Sequence, residues 1–403
     1  MSKSMLATFL LGLAITSHVF AAATSIRPGV VSNDIQGGQP VEKVPIWAAI
    51  VLAQKVPSLM GCSASFLSTR FVMTARHCIF DRMSNSNVEL KNVAVITPGN
   101  FKETIKIEDG YPTAHIYSSY QGDIALVELA TPLNYQMRNF PIYHGYRWNP
   151  QPLHRSMTPQ VPAVIYGNSR RSGGWENDTL ALYWATVQLT GMVDAREGYQ
   201  GAAYEGVMYS QDEYTQNLDP RKFPPPGLGQ PGDSGGTAHV YMQSSLHFPT
   251  WVPVAKAIGV YSGGSGDDYE AAALDHNAMQ WMGEYIGMIL APRDGQNCTG
   301  GRTIDVDVTP GSRQPIKSIG LVDQGGTVIN TCNQFTPVSP NVYRCPLPLP
   351  AGQGQEGVYT VRAYRDGDTS YDEVSIEVLS LTSNPTRVVP GDGLSIDEPA
   401  APH

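Results

Sequence analysis

The chain contains 403 residues, of which 41% are hydrophobic and 16% are charged, and its formal net charge is −9 at pH 7. This composition is typical of a globular protein rather than a disordered one, and the negative charge argues against nucleic acid or an anionic membrane as a partner. The 40 glycines and 31 prolines indicate many turns and favour an all-β architecture. No apolar stretch of about 18 residues follows the N-terminus, so we expect no membrane span in the mature chain.

The first residues of the chain have the organisation of a secretory signal peptide. Lys3 supplies a positive charge, residues 5–16 are apolar, and small residues at 21–23 provide a cleavage site. A short membrane anchor is disfavoured because the apolar stretch is too brief to span a bilayer. We therefore predict a signal peptide over residues 1–23 and a secreted protein, in which disulfides can form.

Short apolar runs bounded by turn residues predict buried β-strands through the first two thirds of the chain. In chain order these runs lie at residues 47–52, 66–75, 93–96, 124–129, 164–168, 180–187 and 257–264. Residues 195–228 contain four tyrosines and three consecutive prolines, which predict an irregular, loop-rich segment. Residues 277–290 instead carry apolar residues at helical spacing, and this pattern predicts a helix that ends before Pro292.

After Pro292 the pattern changes to short segments in which polar and apolar residues alternate. These segments lie at residues 303–308, 326–329, 358–364 and 374–379. The turn sequence Arg-Asp-Gly-Asp at 365–368 predicts a hairpin between the last two. The period of two predicts a small β-sandwich of immunoglobulin-like type over residues 298–383. The proline-containing residues 384–403 are predicted to form a disordered tail.

Three motifs carry residues with catalytic chemistry. They are Thr-Ala-Arg-His-Cys at 74–78, Gly-Asp-Ile-Ala-Leu-Val-Glu-Leu at 122–129 and Gly-Gln-Pro-Gly-Asp-Ser-Gly-Gly at 229–236. The glycines around Ser234 allow a tight turn that exposes its hydroxyl, which is a weak nucleophile until a base removes its proton. His77 is the candidate base, and Asp123 is the candidate acid behind it. Each residue alone has an ordinary structural explanation, but the three motifs in this order favour catalysis.

At these three motifs the chain resembles the trypsin/chymotrypsin-like serine proteases. The resemblance implies an all-β fold of two six-stranded antiparallel β-barrels with a C-terminal helix, over residues 35–292. It also implies that His77 takes the proton of Ser234 and returns it to the leaving amine, while Asp123 holds the imidazole tautomer. The backbone N–H groups of Gly232 and Ser234 would stabilise the oxyanion, and one such donor is typically worth roughly 3–4 kcal/mol.

The sequence Ile-Gln-Gly-Gly at 35–38 resembles the N-terminus that zymogens of this family expose on cleavage. The new ammonium of Ile35 would then pair with Asp233, and residues 24–34 would be a short propeptide. Neither Lys nor Arg immediately precedes the cleavage point, so we do not expect a trypsin-like activator. An ordinary loop before a strand is the alternative for so short a motif.

By the same resemblance, Leu228 would lie at the floor of the pocket that receives the side chain before the cleaved bond. Leu228 has no charge, which favours apolar or small side chains over Lys or Arg. Ser262 and Gly264 would flank this pocket and hydrogen-bond the substrate backbone, although a plain glycine-rich loop is the alternative. The implied substrates are proteins or peptides, and no cofactor or metal is implied.

The five cysteines divide between the two parts of the chain. The resemblance implies a disulfide between Cys62 and Cys78 that pins the histidine loop. Cys332 and Cys345 could close a short loop, contributing about 3 kcal/mol on a chain-entropy estimate. This leaves Cys298 unpaired or exchanges it with one of the other two. A zinc site at these last three cysteines is disfavoured because the sequence has no Cys-x-x-Cys spacing.

Two classes of function remain after this reading. The first is a secreted serine endopeptidase, made as a zymogen and activated by cleavage before Ile35. The second is a catalytically silent homologue that binds a partner through its groove or its C-terminal sandwich. The complete set of catalytic residues favours the first, and an α/β-hydrolase esterase is disfavoured because that fold orders its residues serine, acid, histidine. For the sandwich, attachment to an extracellular surface or protein ligand and a purely stabilising role both stay open.

Overall fold

The structure is a computed structural model that describes residues 35–380 with internal gaps. The gaps are 36–37, 42–44, 46, 57–58, 80–88, 97–101, 109–110, 113–115, 119–121, 134–139, 145–160, 170–180, 194–200, 209–211, 213, 216–217, 219–222, 230–232, 243–253, 265–267 and 353. The predicted signal peptide, propeptide and tail lie outside the described residues, and so does Gly232. The described residues are mostly β-strands with two short helices, which confirms the all-β prediction.

The first half of the chain forms an eight-stranded antiparallel sheet. After β1 (Gln39–Pro40), its strands are β2 (Ala48–Val56), β3 (Leu59–Phe66), β4 (Phe71–Thr74), β5 (Glu89–Ile96), β6 (Lys102–Glu108), β7 (Tyr111–Pro112), β8 (Ile116–Ser118) and β9 (Ala125–Glu128). They pair in the order β7-β6-β5-β2-β3-β4-β9-β8. All four residues of β4 and of β9 are buried, which explains why the sequence is apolar there without alternation. The one-turn helix α1 (Arg76–Ile79) follows β4 directly.

The second sheet closes on itself as a six-stranded barrel. Its strands are β10 (Val161–Ser169), β11 (Ala181–Val193), β12 (Ala203–Met208), β13 (Thr237–Met242), β14 (Val254–Gly263) and β15 (Asp268–Ala273). The order is β11-β10-β13-β14-β15-β12, and β12 pairs with β11 to close the ring. Strand β1 pairs antiparallel with β11 at residues 183–184.

Strand β12 lies within residues 195–228, which were predicted to be irregular and loop-rich. It supplies the closing strand of the barrel, because it pairs on one side with β11 and on the other with β15. Tyr204 in this strand is 1% exposed and lies in the barrel core. The hydrogen-bond partners of β12 are distant in sequence, so local composition carried no signal for it.

The predicted C-terminal helix is present but shorter than expected. Helix α2 (His276–Gly283) begins at the cap Asp275, whose carboxylate accepts a hydrogen bond from the Ala278 N–H at 2.9 Å. It ends seven residues before the predicted end because Ile289–Ala291 form a strand that pairs with Thr303–Val308 of the C-terminal part. Met279 and Met282 pack into the core beside the first sheet. Neither helix of the described residues is long and apolar enough to cross a membrane.

The C-terminal part consists of two sheets that share one core. Its strands are β16 (Ile289–Ala291), β17 (Gln296–Thr299), β18 (Thr303–Val308), β19 (Ile316–Val322), β20 (Val328–Cys332), β21 (Thr336–Ser339), β22 (Val342–Pro348), β23 (Gly357–Arg365) and β24 (Tyr371–Leu379). The sheets have the orders β16-β18-β22-β21 and β17-β24-β23-β19-β20. Val306 and Leu347 of one sheet pack with Ile319, Val361 and Ile376 of the other. The arrangement is a β-sandwich, and the predicted hairpin joins β23 to β24.

Candidate active site

The strand pair β4–β9 brings His77 and Asp123 together. Thr74, at the end of β4, lies opposite Ala125, at the start of β9, so the residues that continue from these ends are neighbours. The backbone N–H of His77 donates to Asp123 Oδ1 at 2.8 Å, and His77 Nδ1 lies 2.6 Å from Asp123 Oδ2. The side chain of Asp123 is 2% exposed, whereas that of His77 is 25% exposed. The acid is therefore enclosed, and the imidazole reaches the surface.

Ser262 at the end of β14 supplies another hydrogen bond to Asp123, from its hydroxyl to Oδ2. Burial by itself raises the pKa of Asp123, but the hydrogen bonds and charge of His77, together with the Ser262 hydroxyl, outweigh it. The pKa of Asp123 therefore lies below its usual value. An ionised carboxylate can only accept hydrogen bonds, so Nδ1 of His77 carries the proton. In the neutral imidazole this tautomer makes Nε2 the basic nitrogen.

Ser234 lies in a turn held between the first sheet and the barrel. Its carbonyl accepts a hydrogen bond from the Ser63 N–H at 2.8 Å. The next residue, Gly235, has φ +87° and donates its N–H to the Tyr261 carbonyl at 2.8 Å. A Cβ at Gly235 would overlap the Ser63 carbonyl and the Thr74 hydroxyl. The motif therefore requires glycine here for both its backbone conformation and its packing.

The Cys62–Cys78 disulfide joins the surroundings of Ser234 to those of His77. The two sulfurs are bonded at 2.08 Å, as the resemblance implied. The Cys78 sulfur lies 3.8 Å from the Ser234 carbonyl oxygen and 3.9 Å from His77 Nε2. The serine turn and the imidazole thus contact the same sulfur atom, which places all three sequence-predicted catalytic residues in one region.

Asp233 and Ile35 are both buried at the barrel, each 2% exposed. The Asp233 carboxylate packs against Gly167 of β10, where a Cβ would overlap it. Ile35 packs into the barrel core, and Gly38 donates its N–H to the Ile35 carbonyl at 3.0 Å. A Cβ at Gly38 would lie 2.9 Å from the carbonyl of Trp184, whose strand β11 pairs with β10.

The predicted pocket residues differ in burial. Leu228 is 3% exposed and packs in the same barrel core as Ile35. Gly264 follows the end of β14 and is exposed. The Ser262 hydroxyl donates to Asp123, so this side chain also helps to hold the acid.

The remaining cysteines form the disulfide that was predicted to close the loop between residues 332 and 345. Cys332 and Cys345 are bonded to each other, and Cys298 has a thiol whose pKa is raised to about 11 by burial. A zinc site at these three residues is ruled out because two of their sulfurs are consumed in a disulfide. Cys62, His77 and Cys78 also have potential ligand atoms within 4.8 Å of one another. They do not form a zinc site either, because Cys62 and Cys78 are bonded to each other.

Sequence reasoning missed the position of Tyr261. Its hydroxyl donates to the Gly229 carbonyl at 3.2 Å, which links β14 to the segment before Ser234. The available sequence signal is its place directly before Ser262 in β14.

Comparison with known proteins agrees with this geometry. No curated protein matches the chain. The family model described as trypsin matches residues 35–274, which contain β1 to β15 and all the candidate catalytic, activation and pocket residues. A domain of this family contains two barrels, which here correspond to the first sheet and the closed barrel. The match covers more than half of the chain, and the chain therefore belongs to the trypsin family of serine proteases.

Proposed function

We propose that this chain is a secreted serine endopeptidase that hydrolyses peptide bonds through an acyl-enzyme. Ser234 is the nucleophile, His77 is the general base and acid, and Asp123 orients the imidazole. The observation that carries the proposal is the double contact of His77, through its backbone N–H and Nδ1, with an enclosed carboxylate. This contact fixes the tautomer that a general base needs.

In the first half of the reaction, the Ser234 oxygen attacks the scissile carbonyl while its proton passes to Nε2 of His77. The N–H groups of Ser234 and Gly232 stabilise the oxyanion. The tetrahedral intermediate collapses as the C–N bond breaks and His77 gives its proton to the leaving amine. Water then repeats the cycle on the acyl-enzyme and releases the acid product. Asp123 stays ionised throughout, in agreement with its lowered pKa.

We also propose that cleavage before Ile35 activates the enzyme. The burial of Ile35 in the barrel core and of Asp233 beside β10 supports this step, because the new ammonium would be released next to the barrel that encloses Asp233. A buried ion pair of this kind acts as a switch, since the carboxylate is costly to bury without its partner. N-terminal sequencing of the active protein tests the cleavage point.

The proposed substrates are proteins or peptides, with a small or apolar side chain entering a pocket between Leu228 and the residues Ser262 and Gly264. The two disulfides support export, because disulfides persist in oxidising compartments. A surface or protein ligand for the C-terminal sandwich stays a prediction, as does the domain boundary at residue 292.

The proposal is tested by covalent labelling with a fluorophosphonate, before and after N-terminal processing. The processed protein should be modified on the 229–236 peptide, and Ser234→Ala should abolish the modification. Ser318→Ala, which removes a serine of the sandwich strand β19, is the matched control and should label normally. A folded, processed protein without modification would instead identify a catalytically silent homologue.

A further inference from the structure

The main chain of Tyr261 is tied to the turn that carries Ser234. Its N–H donates to the Gly236 carbonyl at 2.6 Å, and its carbonyl accepts the Gly235 N–H at 2.8 Å. The side chain therefore begins beside the two glycines that follow the proposed nucleophile, and Tyr261 is only 6% exposed. Its position is therefore set by the same hydrogen bonds that set the turn.

The ring of Tyr261 reaches across to the segment before Ser234. Its hydroxyl bonds to the Gly229 carbonyl at 3.2 Å. A Cβ at Gly229 would lie 2.5 Å from Cζ and 2.6 Å from Cε1 of the ring. The phenol thus occupies the space into which a side chain at position 229 would extend. The segment cannot shift easily, because the Gly227 N–H donates to the Thr186 carbonyl of β11 at 3.2 Å.

A second tyrosine holds the ring in this orientation. Tyr269 of β15 stacks on Tyr261 with ring centroids 5.1 Å apart and an interplanar angle of 16°. Both rings belong to the barrel core that includes Leu228. Burial raises the pKa of Tyr261 to about 12, and the nearby charge of Asp233 adds to the effect, so the hydroxyl stays protonated and donates.

We propose that the Tyr261 ring fills the far part of the side-chain pocket beside Ser234, so that the enzyme cleaves after small residues such as glycine, alanine and serine. The proposal rests on the proposed function, which places this pocket between Leu228 and the residues Ser262 and Gly264, and Gly229 directly follows Leu228 in the chain. The ring joins these two parts of the chain through its bond to Gly229. A large side chain and the phenol cannot share that volume, because protein interiors are close-packed.

The wild-type enzyme tests the proposal without any substitution. Peptide p-nitroanilides of one sequence, ending in alanine, leucine or phenylalanine, are compared by kcat/KM on the full-length processed protein. We expect alanine to exceed phenylalanine at least tenfold. Equal or faster cleavage after phenylalanine overturns the proposal, whereas absence of fluorophosphonate labelling at Ser234 overturns the proposed function instead. Labelling by this small probe does not depend on the pocket, so the two failures are distinguishable.

Two substitutions test whether the Tyr261 ring causes the preference for alanine over phenylalanine. Tyr261→Val should lower the ratio of alanine to phenylalanine cleavage at least tenfold, because it vacates the space beside Gly229. Tyr261→Phe removes only the hydroxyl and should keep the wild-type ratio within about threefold. Thermal melting and the labelling rate of Ser234 confirm that each variant is folded. A folded Tyr261→Val protein with an unchanged ratio overturns the assignment, and if that variant does not fold, the wild-type series decides.

Discussion

Asp368 of the C-terminal sandwich accepts hydrogen bonds from both the backbone N–H and the hydroxyl of Thr69, at 3.2 and 2.8 Å. Thr69 lies in the turn between β3 and β4, and β4 leads to His77. Arg365, in the same hairpin and fully enclosed, donates to the Leu67 carbonyl at 3.3 Å. The hairpin predicted from the sequence is thus docked on the first sheet, and the sandwich is part of one packed body with the protease fold.

The first prediction concerns this contact. Asp368→Ala should lower the free energy of unfolding by about 3 kcal/mol, because it removes charge-assisted hydrogen bonds and leaves buried donors of Thr69 unsatisfied. Denaturant unfolding of the full chain measures the loss. Asp366→Ala changes an exposed aspartate of the same turn and should have little effect. Equal losses in the two variants would contradict the importance of the contact.

A buried histidine forms a second link between the protease fold and the sandwich. His144 Nδ1 lies 3.0 Å from the Ile289 carbonyl, and Nε2 lies 2.8 Å from Asp372 Oδ1. Both partners accept hydrogen bonds, so both ring nitrogens donate and the imidazole is positively charged. Burial by itself lowers the pKa of His144, but the charge and hydrogen bond of Asp372 outweigh it, and the pKa lies above its usual value.

The second prediction follows from the sign of this shift. Because the pKa of His144 is higher in the folded than in the unfolded protein, its protonation stabilises the fold. This stabilisation is fully present below the pKa of the unfolded state, about 6.5, and is lost as pH rises through the pKa of the folded state. The free energy of unfolding of the wild type should therefore fall relative to that of His144→Gln as pH rises above about 6.5. His276→Gln, at a histidine whose pKa is lowered by burial, should keep the wild-type loss. Parallel wild-type and His144→Gln curves would contradict the charged imidazole.

The third prediction concerns the carboxylate beside the proposed nucleophile. Gly167→Ala places a methyl group where the Asp233 carboxylate lies, and overpacking of this kind costs about 1–3 kcal/mol. Because Asp233 precedes Ser234, we also expect the fluorophosphonate labelling rate to fall at least tenfold. Gly191→Ala adds the same methyl group to β11 where no atom lies within 4 Å, and it should change neither quantity. Normal labelling of Gly167→Ala would argue against a fixed Asp233.

The fourth prediction concerns Glu128 at the end of β9. Its carboxylate is fully buried and contacts Arg70 at 3.2 Å and Arg313 at 3.1 Å, while the Tyr117 hydroxyl donates to it at 2.7 Å. Glu128→Ala should lower the free energy of unfolding by about 1–3 kcal/mol, because it removes the acceptor of the Tyr117 hydroxyl and the contacts with two arginines that remain partly exposed to water. Arg313→Ala should cost much less, since that side chain is 47% exposed. Urea unfolding measures both, with the exposed Glu356→Ala as the control.

The strands whose apolar pattern is local were predicted well. The alternating segment 303–308 coincides with β18, and the run at 124–129 contains β9. Strand β12 was missed because its polarity is mixed and its partners β11 and β15 are remote in sequence. The helix predicted at 277–290 was too long, because the spacing of apolar residues cannot show that Ile289 belongs to β16, which pairs with β18.

In the candidate site, likewise, residues with local motifs were predicted and contacts between distant segments were not. Chain order and flanking residues identified His77, Asp123 and Ser234, because each has a local motif. The hydroxyl of Ser262 on Asp123 and the ring of Tyr261 on Gly229 were not predicted, since both contacts join β14 to residues far from it in the chain. A contact between distant segments leaves no periodic signal in either one.

The sequence by itself determined the all-β class, the catalytic residue types and their order, and the change of pattern after Pro292, because glycine turns, apolar runs and short motifs act through neighbouring residues. Only the tertiary structure decided that the closing strand of the barrel comes from 203–208 and that Asp368 docks on Thr69. It likewise decided that the Tyr261 ring lies against Gly229. These features depend on packing and hydrogen bonds between segments that the fold alone brings together.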